Sequence, residues 1–199
     1  MMADTRTGNL DRREVVKALL GQREDALVVT GLGSSCYDAG VYDHPNTFYL
    51  WGAMGAAAMI GLGLALAQPG RRVLVITGDG EMLMGLGSLA TIGAQKPPNL
   101  AIVVLDNELY AETGMQPTHT ARGVDLAGMA KAAGFAVADT VRTDDALDAC
   151  VGQVYRTPGP AFFDVKVSAT RYPMSIRLRD GAHIKNRFRE NLLGKKAFD

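Results

Sequence analysis

Cysteine is scarce in this chain of 199 residues, and its two cysteines lie far apart in the sequence. Cys36 and Cys150 form no C-x-x-C pair, so neither a disulfide framework nor a thiolate metal site is expected. We expect both thiols to be small core residues in a reducing compartment, the cytoplasm. The first 16 residues contain no apolar run of the kind that a signal peptide needs.

An excess of charge of either sign is absent as well. The chain has 21 Lys and Arg residues against 21 Asp and Glu residues, so its composition points to no nucleic-acid partner. Residues 171–199 are an exception, with eight basic and three acidic side chains. We therefore divide the chain into a single domain, residues 1–170, and a basic, helical tail, residues 171–199. A solvated helix and a role in binding a partner or an acidic substrate are both open for this tail.

Residues 47–70 contain no charged side chain at all. A membrane-spanning helix needs about 20 apolar residues, but glycines and alanines dilute the hydrophobicity here. The stretch also opens with aromatic residues, which are typical of a short strand. A helix buried in a globular protein is favoured over a membrane span.

Apolar runs that end at Gly, Asp or Pro alternate along the chain with patterns of helical period. This alternation predicts an α/β fold with a doubly wound, mostly parallel sheet and helices on both faces. The predicted strands are residues 26–30, 73–77, 100–105, 136–141 and 161–167. The predicted helices are residues 11–20, 54–68, 82–94, 125–133 and 144–155.

Oxygen-bearing side chains follow two of these predicted strands. Asp79 lies between Gly78 and Gly80 after one strand, and Asp106 and Asn107 close the next. Ligands of open parallel sheets bind beyond the carboxyl ends of the strands, so these residues should meet at one edge. Oxygen ligands without His or Cys suit Mg²⁺, which completes its shell with phosphate oxygens and water. The sequence thus predicts a magnesium and phosphate site at this edge.

Two other phosphate-binding motifs are missing. The G-x-G of "GLGSSC" has Cys36 where a dinucleotide-binding loop needs its third glycine, which weighs against a nucleotide-dependent oxidoreductase. No G-x-x-x-x-G-K-[ST] sequence occurs, so a P-loop is not expected.

The Gly-Asp-Gly motif, its spacer and the Asn-containing pair resemble the thiamine-diphosphate motif. The segment "LWGAMGAAAMIGLGLAL", residues 50–66, resembles the glycine-containing segment that supports the bent shape of that cofactor. Residues 78–120 are similar to the thiamine-diphosphate-dependent sulfopyruvate and phosphonopyruvate decarboxylases. The resemblance implies the diphosphate-binding (PP) type of domain.

The resemblance also implies roles for individual residues. Asp79, the side-chain oxygen of Asn107 and the backbone carbonyl of Leu109 would bind Mg²⁺. Met54 would separate the two rings of thiamine diphosphate, which makes it a catalytic residue, and the Gly52 backbone would contact the pyrimidine. The diphosphate would lie against the loop and helix residues Gly33, Ser34, Ser35, Gly78, Gly80 and Glu81.

Three further polar residues follow the predicted metal-binding loop. His119 is a candidate for proton transfer or substrate contact, although a lone histidine is more often structural. Gln116 and Thr118 are candidates for donating hydrogen bonds to a sulfonate or phosphonate, or for shaping the loop.

Enzymes of this family need a second domain, which presents a glutamate to the aminopyrimidine. The resemblance therefore implies a second subunit with that domain and a hetero-oligomer of paired subunits. The implied activity is a Mg²⁺-dependent carboxy-lyase that converts a small 2-oxo acid into CO₂ and an aldehyde. A carboligase like acetolactate synthase, an oxidative enzyme and a non-catalytic regulatory subunit remain as alternatives.

Overall fold

The computed structural model describes residues 10–175 and 179–198 and contains a six-stranded parallel sheet with the order β2-β1-β3-β4-β8-β7. The order changes direction between β1 and β3, where consecutive crossovers open a crevice at the carboxyl edge. A short antiparallel pair, β5 and β6, lies outside the sheet. The strands are β1 (Leu27–Thr30), β2 (Thr47–Tyr49), β3 (Val73–Gly78), β4 (Leu100–Asp106), β5 (Leu109–Tyr110), β6 (Gln116–Pro117), β7 (Val137–Val141) and β8 (Ala161–Lys166).

Helices cover both faces of the sheet, so the predicted fold class is confirmed. Helices α1, α2 and α7 pack on one face, and α3, α5 and α6 pack on the other. The helices are α1 (Arg12–Gly21), α2 (Ser34–Val41), α3 (Ala57–Ala67), α4 (Asp79–Met84), α5 (Ser88–Gln95), α6 (Leu126–Ala132), α7 (Asp144–Arg156) and α8 (Gly181–Leu193). Two 3₁₀ helices span Thr120–Arg122 and Gly194–Phe198.

Strand β3 shows why the central strands have continuous apolar sequences. Leu74 and Ile76 enter the core on one face, whereas Val73 and Val75 enter the core on the other. A central parallel strand is buried on both faces, so every position along it is apolar. Cys36 and Cys150 are both unpaired and buried in the core, as predicted.

The charge-free stretch forms β2 and α3. In the described part of the chain, no helix has both the length and the apolar character that crossing a membrane requires. Helix α3 begins at Ala57 rather than at residue 54 because Ala53 and Gly55 have φ angles of 51° and 92°, which a helix does not tolerate.

The predicted helix 82–94 is two helices, α4 and α5, and this boundary was wrong. The break follows from a close backbone approach, since a Cβ atom on Gly85 would lie 2.3 Å from the carbonyl oxygen of Gly55. Helix α2 was not predicted, because its short sequence of small residues has no helical apolar period.

The basic tail folds back onto the body through α8. Ile184 and Phe188 are buried, and the Phe188 ring packs edge-on against Phe48 of β2 at 5.6 Å. Arg187 forms an ion pair with Asp43 at 2.8 Å. One face of this helix therefore covers an edge of the sheet. The division into a domain, residues 1–170, and a tail stays a prediction, and residues 1–9, 176–178 and 199 lie outside the described part.

Candidate functional site

A cleft that opens to solvent lies at the carboxyl ends of β1, β3 and β4, with a cavity volume of about 100 Å³. Loop residues after β1, the first turn of α4 and the residues after β4 form its walls. The predicted residues that line it are Gly33, Ser34, Ser35, Met54, Gly78, Asp79, Gly80, Glu81, Asn107 and Leu109.

Gly52 and His119 are exposed and are not among the residues that line this cleft. The structure thus brings together ten of the twelve predicted site residues and leaves these two outside. The catalytic role of His119 and the pyrimidine contact of Gly52 stay predictions.

Asp79 is the central acidic group of the cleft. It is only 2 % exposed, its Oδ2 accepts a hydrogen bond from the Thr118 hydroxyl at 2.5 Å, and the Thr120 hydroxyl lies 3.3 Å from the same oxygen. Burial and the charge of Asp106 raise the pKa of Asp79 to about 7. Within the described residues no cationic side chain pairs with Asp79, so a bound cation would stabilise its ionised form.

Asn107 is held in a tight turn directly after β4. Its side-chain oxygen accepts a hydrogen bond from the Leu109 N–H at 3.0 Å, and Glu108 between them has a φ angle of 62°. An asparagine side chain favours such turns because it imitates a backbone carbonyl. The turn leaves both Asn107 and Leu109 on the wall of the cleft, beside the first turn of α4.

The first turn of α4 supplies the floor. Gly78 precedes it, no side-chain cap is present among the described residues, and Gly78, Asp79, Gly80 and Glu81 all line the cleft. The first N–H groups of a helix have no acceptor within the helix itself. A side chain at position 80 would meet the Tyr110 ring, 2.5 Å from an added Cβ atom, which explains why glycine stands there.

Glu81 connects two walls of the cleft through hydrogen bonds. Its Oε2 accepts hydrogen bonds from the Thr77 hydroxyl at 2.8 Å and from the Leu32 N–H at 3.1 Å, and burial raises its pKa. These bonds tie the end of β1 to the start of α4. The Glu81 side chain is therefore a structural link between two walls, and the backbone is the part of this residue that suits a diphosphate.

Met54 stands on the rim of the cleft between two residues in left-handed conformations. Its side chain is 37 % exposed, and the neighbouring Gly55 packs its backbone against Gly85. This contact joins the loop that carries Met54 to the end of α4.

A second polar cluster lies behind Asp79 and was not predicted. Asp106 is fully buried, forms an ion pair with Lys166 and accepts a hydrogen bond from the Thr120 hydroxyl at 2.9 Å. Lys166 also lies 3.5 Å from Asp164. Burial and the charge of Asp106 raise the pKa of Asp164 to about 8.

Two threonines connect this cluster with the cleft. The hydroxyls of Thr118 and Thr120 are 2.9 Å apart, and each has only one proton to donate. The predicted role of Thr118 as a donor to a substrate anion does not fit its position, because its buried hydroxyl is bonded to Asp79. Gln116 is exposed and bonds to Thr113 within its own loop.

The donor set of the cleft fits a hard divalent cation. It comprises the carboxylate of Asp79, which pairs with no cationic side chain of the described residues, the amide oxygen of Asn107 and the carbonyl of Leu109. The uncapped turn of α4 suits the anionic group that such a cation holds. The described residues contain no group of three or more His, Cys, Asp or Glu side chains that could hold a metal by itself. A cation here therefore needs oxygen atoms from a phosphate ligand or water.

Fold and site together define an α/β domain that holds a diphosphate-bearing cofactor through a metal ion. The family model described as "Thiamine pyrophosphate enzyme, C-terminal TPP binding domain" matches residues 32–165. The chain is 41 % identical over 186 residues to the sulfopyruvate decarboxylase subunit beta of Methanothermobacter thermautotrophicus, covering 93 % of this chain and 97 % of the relative. It therefore belongs to the thiamine pyrophosphate enzyme family, in the group of the sulfopyruvate decarboxylase beta subunits.

One further relative supports this assignment, and one solved structure supports the fold. The phosphonopyruvate decarboxylase of Streptomyces viridochromogenes is 41 % identical over 144 residues, which are 72 % of this chain and 36 % of that protein. A solved structure from Mycobacterium smegmatis, whose title names a thiamin diphosphate-dependent enzyme, superposes on this chain with a TM-score of 0.70 and is 24 % identical in sequence. It covers 85 % of this chain and 35 % of that one, and shows the fold alone. The resemblance inferred from the sequence is confirmed, and the nucleotide-dependent oxidoreductase alternative is wrong.

Proposed function

We propose that this chain is the diphosphate-binding subunit of a two-subunit, thiamine-diphosphate- and Mg²⁺-dependent 2-oxo acid decarboxylase. The observation that carries the proposal is Asp79, a buried carboxylate that lines the cleft and has no cationic partner among the described residues. The relatives of this chain are named for decarboxylation of sulfopyruvate or phosphonopyruvate. We therefore assign a small 2-oxo acid with a second anionic group as the substrate.

Within this proposal, Asp79, Asn107 and the carbonyl of Leu109 hold Mg²⁺. The first turn of α4 and the loop of Gly33, Ser34 and Ser35 bind the diphosphate, and Met54 supports the bent shape of the cofactor. The bound cofactor supplies the electron sink that allows the carbon–carbon bond to break and CO₂ to leave. The chain itself orients the reactants and excludes water from them.

A second subunit completes the site in this proposal. Trp51, Met54 and Met59 are exposed around the entry to α3, and the exposed Met84 packs against Gly55. Exposed apolar side chains gathered at the rim of a cleft are typical of a surface that a partner covers. We assign to this partner the pyrimidine-binding domain and the catalytic glutamate, and we place the assembly in the cytoplasm.

Mixing the two subunits with thiamine diphosphate and Mg²⁺ tests the proposal. We expect CO₂ release from sulfopyruvate in the mixture and none from either subunit alone. Product mass distinguishes aldehyde release from carboligation or oxidation. A mixture that binds the cofactor but leaves every 2-oxo acid unchanged would favour the regulatory-subunit alternative.

A further inference from the structure

Arg12 is the cationic side chain of the cleft. Among the described residues that line it, Arg12 is the only basic one, whereas Asp79, Glu81 and Glu112 are acidic. The residue is only 5 % exposed although it is the first residue of α1, a position where arginine is normally solvated. A buried arginine on the wall of a ligand cleft needs a reason.

The guanidinium group of Arg12 is positioned by its other contacts. Its Nε donates to Asp38, and its Nη1 donates to the backbone carbonyl of Thr170 at 3.3 Å. Nη2 has no hydrogen-bond partner among the described residues. It is also not one of the atoms that are sealed from solvent without a partner, so a ligand can reach it. Nη2 is thus the donor that remains for a ligand in the cleft.

Asp38 fixes the position of the Arg12 guanidinium group. It is fully buried and accepts from Arg12 through Oδ2 and from Arg13 through Oδ1, at 3.1 Å for the latter. Asp11, the residue before Arg12, is a second carboxylate close enough to interact with the Arg12 charge. Two guanidinium groups therefore face two carboxylates, and the attraction of Arg12 for an anion in the cleft rests on a direct hydrogen bond rather than on an excess of positive charge.

The location identifies the anion. Arg12 lies where the cleft adjoins a second cavity, and the residues that line both include Ser34 and Asn107. Ser34 begins α2, an eight-residue helix whose N-terminus has no side-chain cap, and such a terminus attracts phosphate. An uncapped helix and a buried arginine therefore converge at the end of the cleft beside the predicted metal ligand Asn107.

We propose that Arg12 binds the terminal phosphate of the diphosphate through Nη2, with the N-terminus of α2 as the second donor group. This assignment rests on the proposed function and adds a binding residue that lies far from the Gly-Asp-Gly motif in the sequence. Arginine suits the role because its planar donors match phosphate oxygens.

The test compares two ligands on the complex of this chain with its partner subunit, in the presence of Mg²⁺. Calorimetry gives the Kd of thiamine diphosphate and of thiamine monophosphate, which lacks the terminal phosphate. We expect R12Q to weaken the diphosphate about 10- to 100-fold and to leave the monophosphate almost unchanged. R12K keeps the charge and should lie between the wild type and R12Q.

Arg13 provides the matched control. It contacts the same carboxylate of Asp38 but does not line the cleft, so R13Q should retain the wild-type affinity for both ligands. Equal weakening by R12Q and R13Q would show that Arg12 acts only by neutralising Asp38. If R12Q does not fold, the R12K variant decides. An R12K complex that binds both thiamine diphosphate and thiamine monophosphate with the wild-type Kd overturns the assignment.

Two other outcomes are distinguishable. If R12Q keeps the cofactor affinity but raises the KM for sulfopyruvate and not for pyruvate, Arg12 binds the substrate's anionic group and the phosphate assignment is wrong. If the wild-type complex binds no thiamine diphosphate, the proposed function fails and this assignment fails with it.

Discussion

Two acidic groups at neighbouring strand ends have opposite electrostatic environments. Asp106 closes β4 and forms an ion pair with Lys166, whereas Asp79 follows β3, accepts a hydrogen bond from the Thr118 hydroxyl and pairs with no cationic side chain of the described residues. Both carboxylates are buried, so burial alone does not separate them. The difference indicates that the cluster of Asp106 holds the fold together, and it supports our proposal that a ligand supplies the counter-charge of Asp79.

The largest effect should come from Asp79→Asn in the complex. The amide keeps the shape but cannot offer a charge to Mg²⁺, so binding of thiamine diphosphate should fall below detection in calorimetry. The free chain should lose no stability in urea, because a buried carboxylate with a raised pKa is removed. Full cofactor affinity in this variant would contradict the metal role.

Lys166→Met, unlike Asp79→Asn, should lower the stability of the free chain. Removal of the ammonium group leaves Asp106 buried without its ion-pair partner, and we expect a loss of about 3–5 kcal/mol in the free energy of unfolding. Urea denaturation of the free chain measures it. The double variant Lys166→Met, Asp106→Asn should recover part of this loss, and a single variant as stable as the wild type would refute the structural role.

Thr118→Val tests a hydroxyl that lies between Asp79 and the cluster of Asp106. Loss of the hydroxyl that donates to Asp79 should weaken the cofactor about tenfold and destabilise the chain by about 1 kcal/mol. Thr91→Val, at an exposed position of α5 that does not line the cleft, is the control and should change neither value. Equal effects in the two variants would mean that the hydroxyl does not orient Asp79.

The last prediction concerns pH and Asp164. Its pKa of about 8 in the folded chain lies above the ordinary value of 3.8, so the folded state binds the proton more tightly than the unfolded state. The stability from this group is complete below about pH 4 and is lost as the pH rises through about 8. Asp164→Asn cannot ionise, and its urea midpoint should rise relative to the wild type between pH 5 and pH 9. A constant difference across this range would contradict the shift.

Local sequence was sufficient for the parts that depend on neighbours along the chain. The apolar runs predicted five of the six strands of the sheet, because a central parallel strand is apolar throughout. The same local patterns missed α2, whose small residues have no helical apolar period. They also placed α4 and α5 in one helix, because the turn at Gly85 depends on a tertiary contact with Gly55.

The sequence by itself determined where oxygen ligands follow strands, since one crossover places Asp79 and Asn107 at the same edge of a parallel sheet. Which charges are compensated was decided only by the tertiary structure. The sheet order sets β8 beside β4, so that Lys166 is the register partner of Asp106 across 60 residues, and the fold sets Arg12 beside Asp38 at the cleft. Spacing encodes local geometry, but the electrostatic environment of a buried carboxylate depends on which distant segments pack against it.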